Sequence, residues 1–152
     1  MTTPAESPAP QPAKEPLEPG THLRLSIFAY VAINLAYGLP IALWPALVWK
    51  TIGGNEGEQL AALKSFRWAG AILVAWAIGG VLTLTRPEGR QTMVTTFALQ
   101  FTFAAAALVV SALADEFAFM PTWFVLLAIV AVGLNAMYLW YGRWAGRRVL
   151  NA

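Results

Sequence analysis

Asn34, Gln100 and Asn135 stand well inside long uncharged stretches of this sequence, and Trp76 lies inside another. Amides donate and accept hydrogen bonds, and an indole donates one, but neither group acts as an acid, a base or a nucleophile under ordinary conditions. The same stretches contain no Asp, Glu, Lys, Arg or His, and the chain has no cysteine. Acid–base chemistry, nucleophilic catalysis and metal binding all need such groups. The pattern therefore predicts hydrogen bonding and binding, and no catalytic residue, cofactor or metal site.

The elements that hold these side chains are unusually apolar. Hydrophobic residues make up 58% of the 152-residue chain and charged residues 12%, against roughly 25% charged in an ordinary soluble domain. A helix crosses a bilayer with about 20 mostly apolar residues. A soluble bundle would instead need charged outer faces on every helix, which these stretches lack. Residues 25–49, 68–85, 91–114 and 117–142 carry no charge.

This composition predicts an all-α fold, a four-transmembrane-helix bundle with antiparallel, up-down topology. We expect a membrane domain over residues 23–148 and a short C-terminal tail over 149–152. Pro40 and Pro45 predict a kink in the outer half of the first helix. Residues 1–22 contain six prolines and should form a disordered tail. The helices are expected at about 25–49, 60–85, 91–114 and 117–145.

The distribution of basic residues indicates how the bundle sits in the membrane. Lys and Arg are retained on the cytoplasmic side of membrane proteins. With both termini in the cytoplasm, seven basic residues lie inside and three outside, so we expect this topology in a cell membrane. This distribution explains the net charge of +2, so the charge does not indicate nucleic-acid binding. The inner residues are Lys14, Arg24, Arg86, Arg90, Arg143, Arg147 and Arg148, and the outer ones are Lys50, Lys64 and Arg67.

Helix geometry places the three amides at nearly the same depth, roughly 10–15 Å from the inner end at 1.5 Å per residue, and Trp76 reaches a similar depth. An amide that faces lipid leaves its hydrogen bonds unmade, so we expect all three to point inward. One hypothesis is a dry interhelical clamp in which Asn34, Gln100 and Asn135 bond to one another. The other is a polar cavity for a neutral or amphipathic ligand. The sequence favours the clamp.

Two surfaces are candidates for contact with another protein or with lipid. Ala71, Ala75 and Gly79 recur at four-residue intervals, which permits close approach of another helix, from a second copy or a larger membrane protein. Basic residues at the end of the chain could contact anionic lipid headgroups of the bilayer. These are Arg143, Arg147 and Arg148.

The layout of residues 23–146 resembles small four-helix bacterial membrane proteins grouped as domains of unknown function. The resemblance rests on Asn34-Leu-Ala-Tyr-Gly38, on Pro45 and Gly53, on Phe66-Arg67-Trp68-Ala69-Gly70 and on Arg86. It implies a four-helix fold in a bacterial inner membrane, and it brings no established activity and no site. The sequence therefore predicts a non-enzymatic accessory or structural subunit. The alternative is a transporter or binding protein for a small uncharged or lipid-like molecule.

Overall fold

Helix dominates the computed structural model, which describes residues 18–54, 59–86, 88–114, 116–117 and 120–147 and has no strand among them. Four of its five helices contain an apolar stretch long enough to cross a bilayer. The predicted all-α fold with four spans is therefore confirmed, and the chain is a multi-pass membrane protein. The helices are α1 (Pro19–Leu43), α2 (Pro45–Thr51), α3 (Gln59–Thr85), α4 (Arg90–Leu113) and α5 (Thr122–Ala145).

The first span begins earlier than predicted and is interrupted where prolines were expected to act. It starts at Pro19, in the first turn, where the missing N–H of proline would have no helical partner. Residues 19–22 thus belong to α1, and the predicted tail boundary at 22 is wrong. The helix stops before Trp44, whose φ of −127° and ψ of 52° leave the helical region. Pro45 causes this break, because proline disfavours a helical conformation in the residue before it.

The later boundaries follow the sequence more closely. The ends predicted for the second and third spans, 60–85 and 91–114, differ from those of α3 and α4 respectively by at most one residue. The last helix begins at Thr122 rather than at 117, because Pro121 adopts an extended ψ of 127° and is the residue just before the helix. Residues 1–17, most of the predicted tail, and 149–152 lie outside the described residues, as does Arg148.

Contacts between the helices fix an antiparallel arrangement. Gly70 of α3 packs against Ala42 of α1, and Val31 of α1 packs against Gly80, so the two helices run in opposite directions. Next to α1 on its other side lies α5, and α5 also packs along α4. The third and fourth helices touch mainly near the turn that joins them, where the Arg90 side chain donates hydrogen bonds to the carbonyls of Thr83 and Leu84. This leaves α1 and α4 diagonally opposed across the bundle.

The contact between α1 and α3 uses glycines that pack inside the bundle. A methyl group at Gly70 would overlap the Ala42 backbone and lie 2.8 Å from the Gly38 carbonyl oxygen. A methyl group at Gly80 would overlap Val31. Small residues allow membrane helices to approach in this way. The α1–α3 contact therefore lies on the face of α3 that carries Gly70 and Gly80, roughly opposite the predicted small-residue face.

Packing is uneven along the bundle. One end holds the α3–α4 turn and the last residues of α5, and we call it the turn end. The other end holds α2, and we call it the α2 end. The apolar core lies toward the turn end, whereas two cavities described below lie toward the α2 end. The core contains Leu23, Ile27, Tyr30, Val31, Ala77, Val94, Phe97, Ala98, Phe101, Ala136 and Leu139.

Candidate binding site in the membrane domain

Tyr30 joins the two diagonally opposed helices. Its side chain is fully buried, and its ring stacks on Phe97 of α4 with 4.3 Å between centroids. Phe101 lies 4.9 Å away in a tilted arrangement. The Tyr30 hydroxyl donates a hydrogen bond to Oε1 of Gln100. Tyrosine can fill an apolar space and still satisfy its hydroxyl, so Tyr30 links α1 to α4 by both packing and a polar contact.

Asn34 lies one turn beyond Tyr30, and its side-chain amide oxygen has no hydrogen-bond partner. Its Nδ2 donates to the Tyr30 backbone carbonyl at 2.9 Å. The side chain is 1% exposed, and its Oδ1 is buried with no hydrogen-bond partner. A buried amide oxygen without a donor costs free energy, about 1–3 kcal/mol. Asn34 therefore presents an acceptor that a bound molecule could satisfy.

Asn135 also has an orphaned acceptor, but in a different place. It is buried on α5, and its Oδ1 has no partner. It lines an open groove of about 380 Å³ between α5 and α1, together with Ile33 and Tyr138. Within the part of the chain that the structure describes, no hydrogen bond joins any two of the three amides. The predicted direct clamp of Asn34, Gln100 and Asn135 is not formed, because Tyr30 bonds to Gln100 and Asn34 bonds to its own helix backbone.

Trp76 occupies the α3 side of the same region. Its ring meets the edge of Phe97 at 6.0 Å between centroids and packs against the apolar core. Phe97 stands between Trp76 and Tyr30, since it also stacks on Tyr30. The predicted polar set is thus divided: Asn34 and Gln100 share one cavity, Asn135 lines a separate groove, and Trp76 packs in the core.

The cavity beside Asn34 and Gln100, which we call the core cavity, has a volume of about 200 Å³. All four spanning helices contribute to its wall. Its polar side chains are Asn34, Tyr37 and Gln100, and the remaining wall is apolar. An apolar cavity of about 150 Å³ is large enough to hold benzene in another protein. The remaining lining residues are Ile33, Ile41, Leu73, Phe101, Ala104, Leu108, Ala128 and Val132.

Of the predicted lipid-contact residues, Arg143 and Arg147 are among those that the structure describes, and both lie at the turn end. Arg143 donates from Nε to the Thr95 hydroxyl at 2.6 Å, and its guanidinium carbon lies 6.0 Å from the centre of the Trp140 ring. Arg147 is exposed. The Arg143 guanidinium therefore already contacts α4 through Thr95, whereas Arg147 is the described residue of this set that is exposed.

The predicted small-residue surface of α3 is only partly on the outside. Ala71 and Ala75 are exposed. A methyl group at Gly79 would lie 3.7 Å from Met93 and 3.9 Å from Phe97, so Gly79 faces α4 within the bundle. Any external contact on this face rests on the two alanines.

No group of three or more His, Cys, Asp or Glu side chains that could hold a metal lies among the described residues. Comparison of the chain with protein-family models, with curated proteins and with solved structures finds no match. The resemblance to small four-helix bacterial membrane proteins therefore stays a prediction from the sequence. The class that the fold defines is a multi-pass membrane protein with four spanning helices.

Proposed function

We propose that this membrane protein is non-enzymatic and binds a small, uncharged, mostly apolar molecule that carries a hydrogen-bond donor. The observation that supports this most directly is the buried Asn34 Oδ1, which has no partner and belongs to a residue that lines the core cavity. A hydroxyl or amide N–H of a ligand would satisfy that oxygen. The apolar wall would hold the rest of the molecule, as is usual for small-molecule sites.

Binding should be detectable by protection of a cysteine placed on the cavity wall. The chain has no native cysteine, and Ala104 is a small lining residue. In Ala104→Cys protein, we expect benzyl alcohol to slow reaction with uncharged N-ethylmaleimide in a saturable manner. Asn34→Leu should weaken that protection about tenfold, the equivalent of one lost hydrogen bond. Mass spectrometry of the modified protein measures the rate.

Two controls make this result specific. Ala106→Cys lies on the exposed side of α4 and should react equally fast with and without the alcohol. Toluene has a similar shape but no donor, so it should protect the Ala104→Cys protein less than benzyl alcohol does. Equal protection by both molecules, unchanged by Asn34→Leu, would show that Asn34 does not bind a ligand. An Ala104→Cys protein that the alcohol never protects would rule out the site.

A second candidate function is that of an accessory or structural subunit, which the sequence favoured. It is supported by the exposure of Ala71 and Ala75 on α3, where another helix could approach closely. The partner would be a second copy or a larger membrane protein. The two functions differ in what fills the core cavity, because an accessory subunit needs no ligand there.

We also propose that both termini lie in the cytoplasm of a bacterial cell, with the turn end at the inner surface. Two exposed glutamates provide a matched test, because Glu88 lies in the α3–α4 turn and Glu116 lies between α4 and α5. A charged maleimide added to intact cells should label Glu116→Cys and leave Glu88→Cys unmodified. After the membrane is opened, both should react. The reverse pattern would show that the turn end faces outward.

A further inference from the structure

A second cavity lies beneath α2, and we call it the α2 cavity. Its volume is about 290 Å³, and it is bounded by the last turns of α1, by α2 and by the start of α5. Thr51 contributes a hydroxyl, which donates to the Leu47 carbonyl at 2.8 Å. The wall is otherwise mostly apolar. The lining residues are Ala36, Tyr37, Pro40, Ile41, Leu47, Val48, Thr51, Ile52 and Phe124.

Tyr37 and Ile41 line both cavities. They are four residues apart, so they stand one above the other on the same face of α1. The core cavity lies on one side of this pair and the α2 cavity on the other. The two cavities therefore adjoin along α1, with the Tyr37 and Ile41 side chains between them.

Proline leaves backbone acceptors on this part of α1. Pro40 has no N–H to donate to the carbonyl of Ala36, and Pro45 has none for that of Ile41. Both of these carbonyls belong to residues that line the α2 cavity. Free carbonyls at membrane depth are tolerated where they line a cavity or find another partner. The α2 cavity thus combines a mostly apolar wall with two residues, Ala36 and Ile41, whose carbonyls lack the usual donor four residues later.

The position of α2 is fixed by its contact with α3. Trp49 is buried, and its ring meets the edge of Phe66 at 5.6 Å between centroids. The Gly54 N–H donates to the Trp49 carbonyl at 2.9 Å, which closes the end of the helix. The short helix is therefore held next to the end of α1, where it forms one wall of the α2 cavity.

The volumes of the two cavities bear on whether the ligand is compact or elongated. The core cavity alone is smaller than the roughly 300–1,000 Å³ of typical ligand sites, whereas the two cavities together fall within that range. We infer that the ligand is an uncharged, single-chain, lipid-like molecule whose donor group binds Asn34 and whose chain passes Tyr37 and Ile41 to end beneath α2. This inference rests on the proposed function and specifies its substrate class.

The test uses two photoreactive probes, hexanol and dodecanol, each with a diazirine on its terminal carbon. Purified full-length protein in lipid nanodiscs is irradiated with each probe, and the labelled residues are mapped by mass spectrometry. The short probe should label residues around the core cavity. The long probe should label α2, with Val48 and Thr51 as the expected positions. Both labels should fall about tenfold in Asn34→Leu when the probes are below saturation.

A pair of α2 variants tests the path directly. Val48 lines the α2 cavity, and Val48→Trp should fill it, abolish labelling of α2 by the long probe and leave labelling by the short probe intact. Ala46 is exposed on the same helix and is not a lining residue, so Ala46→Trp should change neither label. Circular dichroism of both variants verifies that the helices remain folded.

The outcomes separate this inference from the function on which it rests. Saturable, Asn34-dependent labelling by both probes that never reaches α2 would overturn the elongated path and leave the compact ligand site. Labelling of α2 that persists in Val48→Trp would also overturn it. Labelling that is independent of Asn34 for every probe would overturn the proposed function, and this inference with it.

Discussion

Gly70→Ala should destabilise the bundle by about 3 kcal/mol, the upper part of the range for overpacking a buried contact. The added methyl group would overlap the backbone of Ala42 and approach the Gly38 carbonyl oxygen to 2.8 Å. Backbone atoms cannot rotate away as a side chain can, so α1 and α3 would have to separate. The midpoint of unfolding in mixed detergent and dodecyl sulfate micelles measures the change.

Gly133→Ala is the matched control for this substitution. Gly133 is also inside a spanning helix, but a methyl group there would meet no atom within 4 Å. Replacing a helical glycine by alanine otherwise gains about 0.5–1 kcal/mol, so this variant should be as stable as the parent or slightly more so. Equal effects of the two substitutions would show that α1 and α3 do not pack at Gly70.

Tyr30→Ala should cost about 3–5 kcal/mol, the usual loss when a large buried aromatic side chain is removed. The variant loses the stacking on Phe97, the contact with Phe101 and the hydrogen bond to Gln100. Tyr30→Phe keeps the ring and removes only the hydroxyl, so its cost should be about 0.6–2 kcal/mol, as for other hydrogen bonds between membrane helices. The same unfolding assay measures both.

Phe28→Ala controls for the loss of any aromatic residue from α1. Phe28 is 63% exposed on the outer surface of the bundle, where a bilayer would surround it, so its removal should change stability little. A Tyr30→Ala effect no larger than that of Phe28→Ala would contradict the role of Tyr30 as the link between α1 and α4. A Tyr30→Phe effect as large as that of Tyr30→Ala would place most of the stabilisation in the hydroxyl.

The number of spans and most helix ends could be predicted from sequence because charge and proline act locally. A long uncharged stretch indicates a segment that can lie in the bilayer. Pro45 interrupts a helix whatever the tertiary arrangement of the chain. The start of α1 was missed because residues 19–22 carry too little apolar surface to belong to a span. They are nonetheless helical, since Pro19 suits a first turn and the chain continues directly into the span.

Hydrogen-bond partners could not be predicted in the same way, because they depend on how the helices are rotated and which of them are neighbours. For straight helices, the residue spacing places Asn34, Gln100 and Asn135 at a common depth. That depth does not determine the direction in which each side chain points. Asn34 found a backbone acceptor one turn away, which is available to any asparagine in a helix. Tyr30 reached Gln100 because α1 and α4 face each other diagonally.

The small-residue face shows the same limit. Spacing identified Ala71, Ala75 and Gly79, and small residues do mediate a close helix contact in α3. The contact uses Gly70 and Gly80, on roughly the opposite side of α3, because the shape of α1 decides which small residues are needed. The cavities could not be predicted from the sequence either, since a void depends on the sizes of side chains from several helices at once.

The core cavity has a consequence for energetics across a polarised membrane. None of its lining residues is an Asp, Glu, Lys, Arg or His, and moving one elementary charge through a potential of 100 mV is worth about 2.3 kcal/mol. With no charge on the wall and an uncharged ligand, the membrane voltage does no work when the site fills or empties. Occupancy would then follow the concentration of the ligand in the surrounding lipid alone, in a resting cell and in a depolarised one alike.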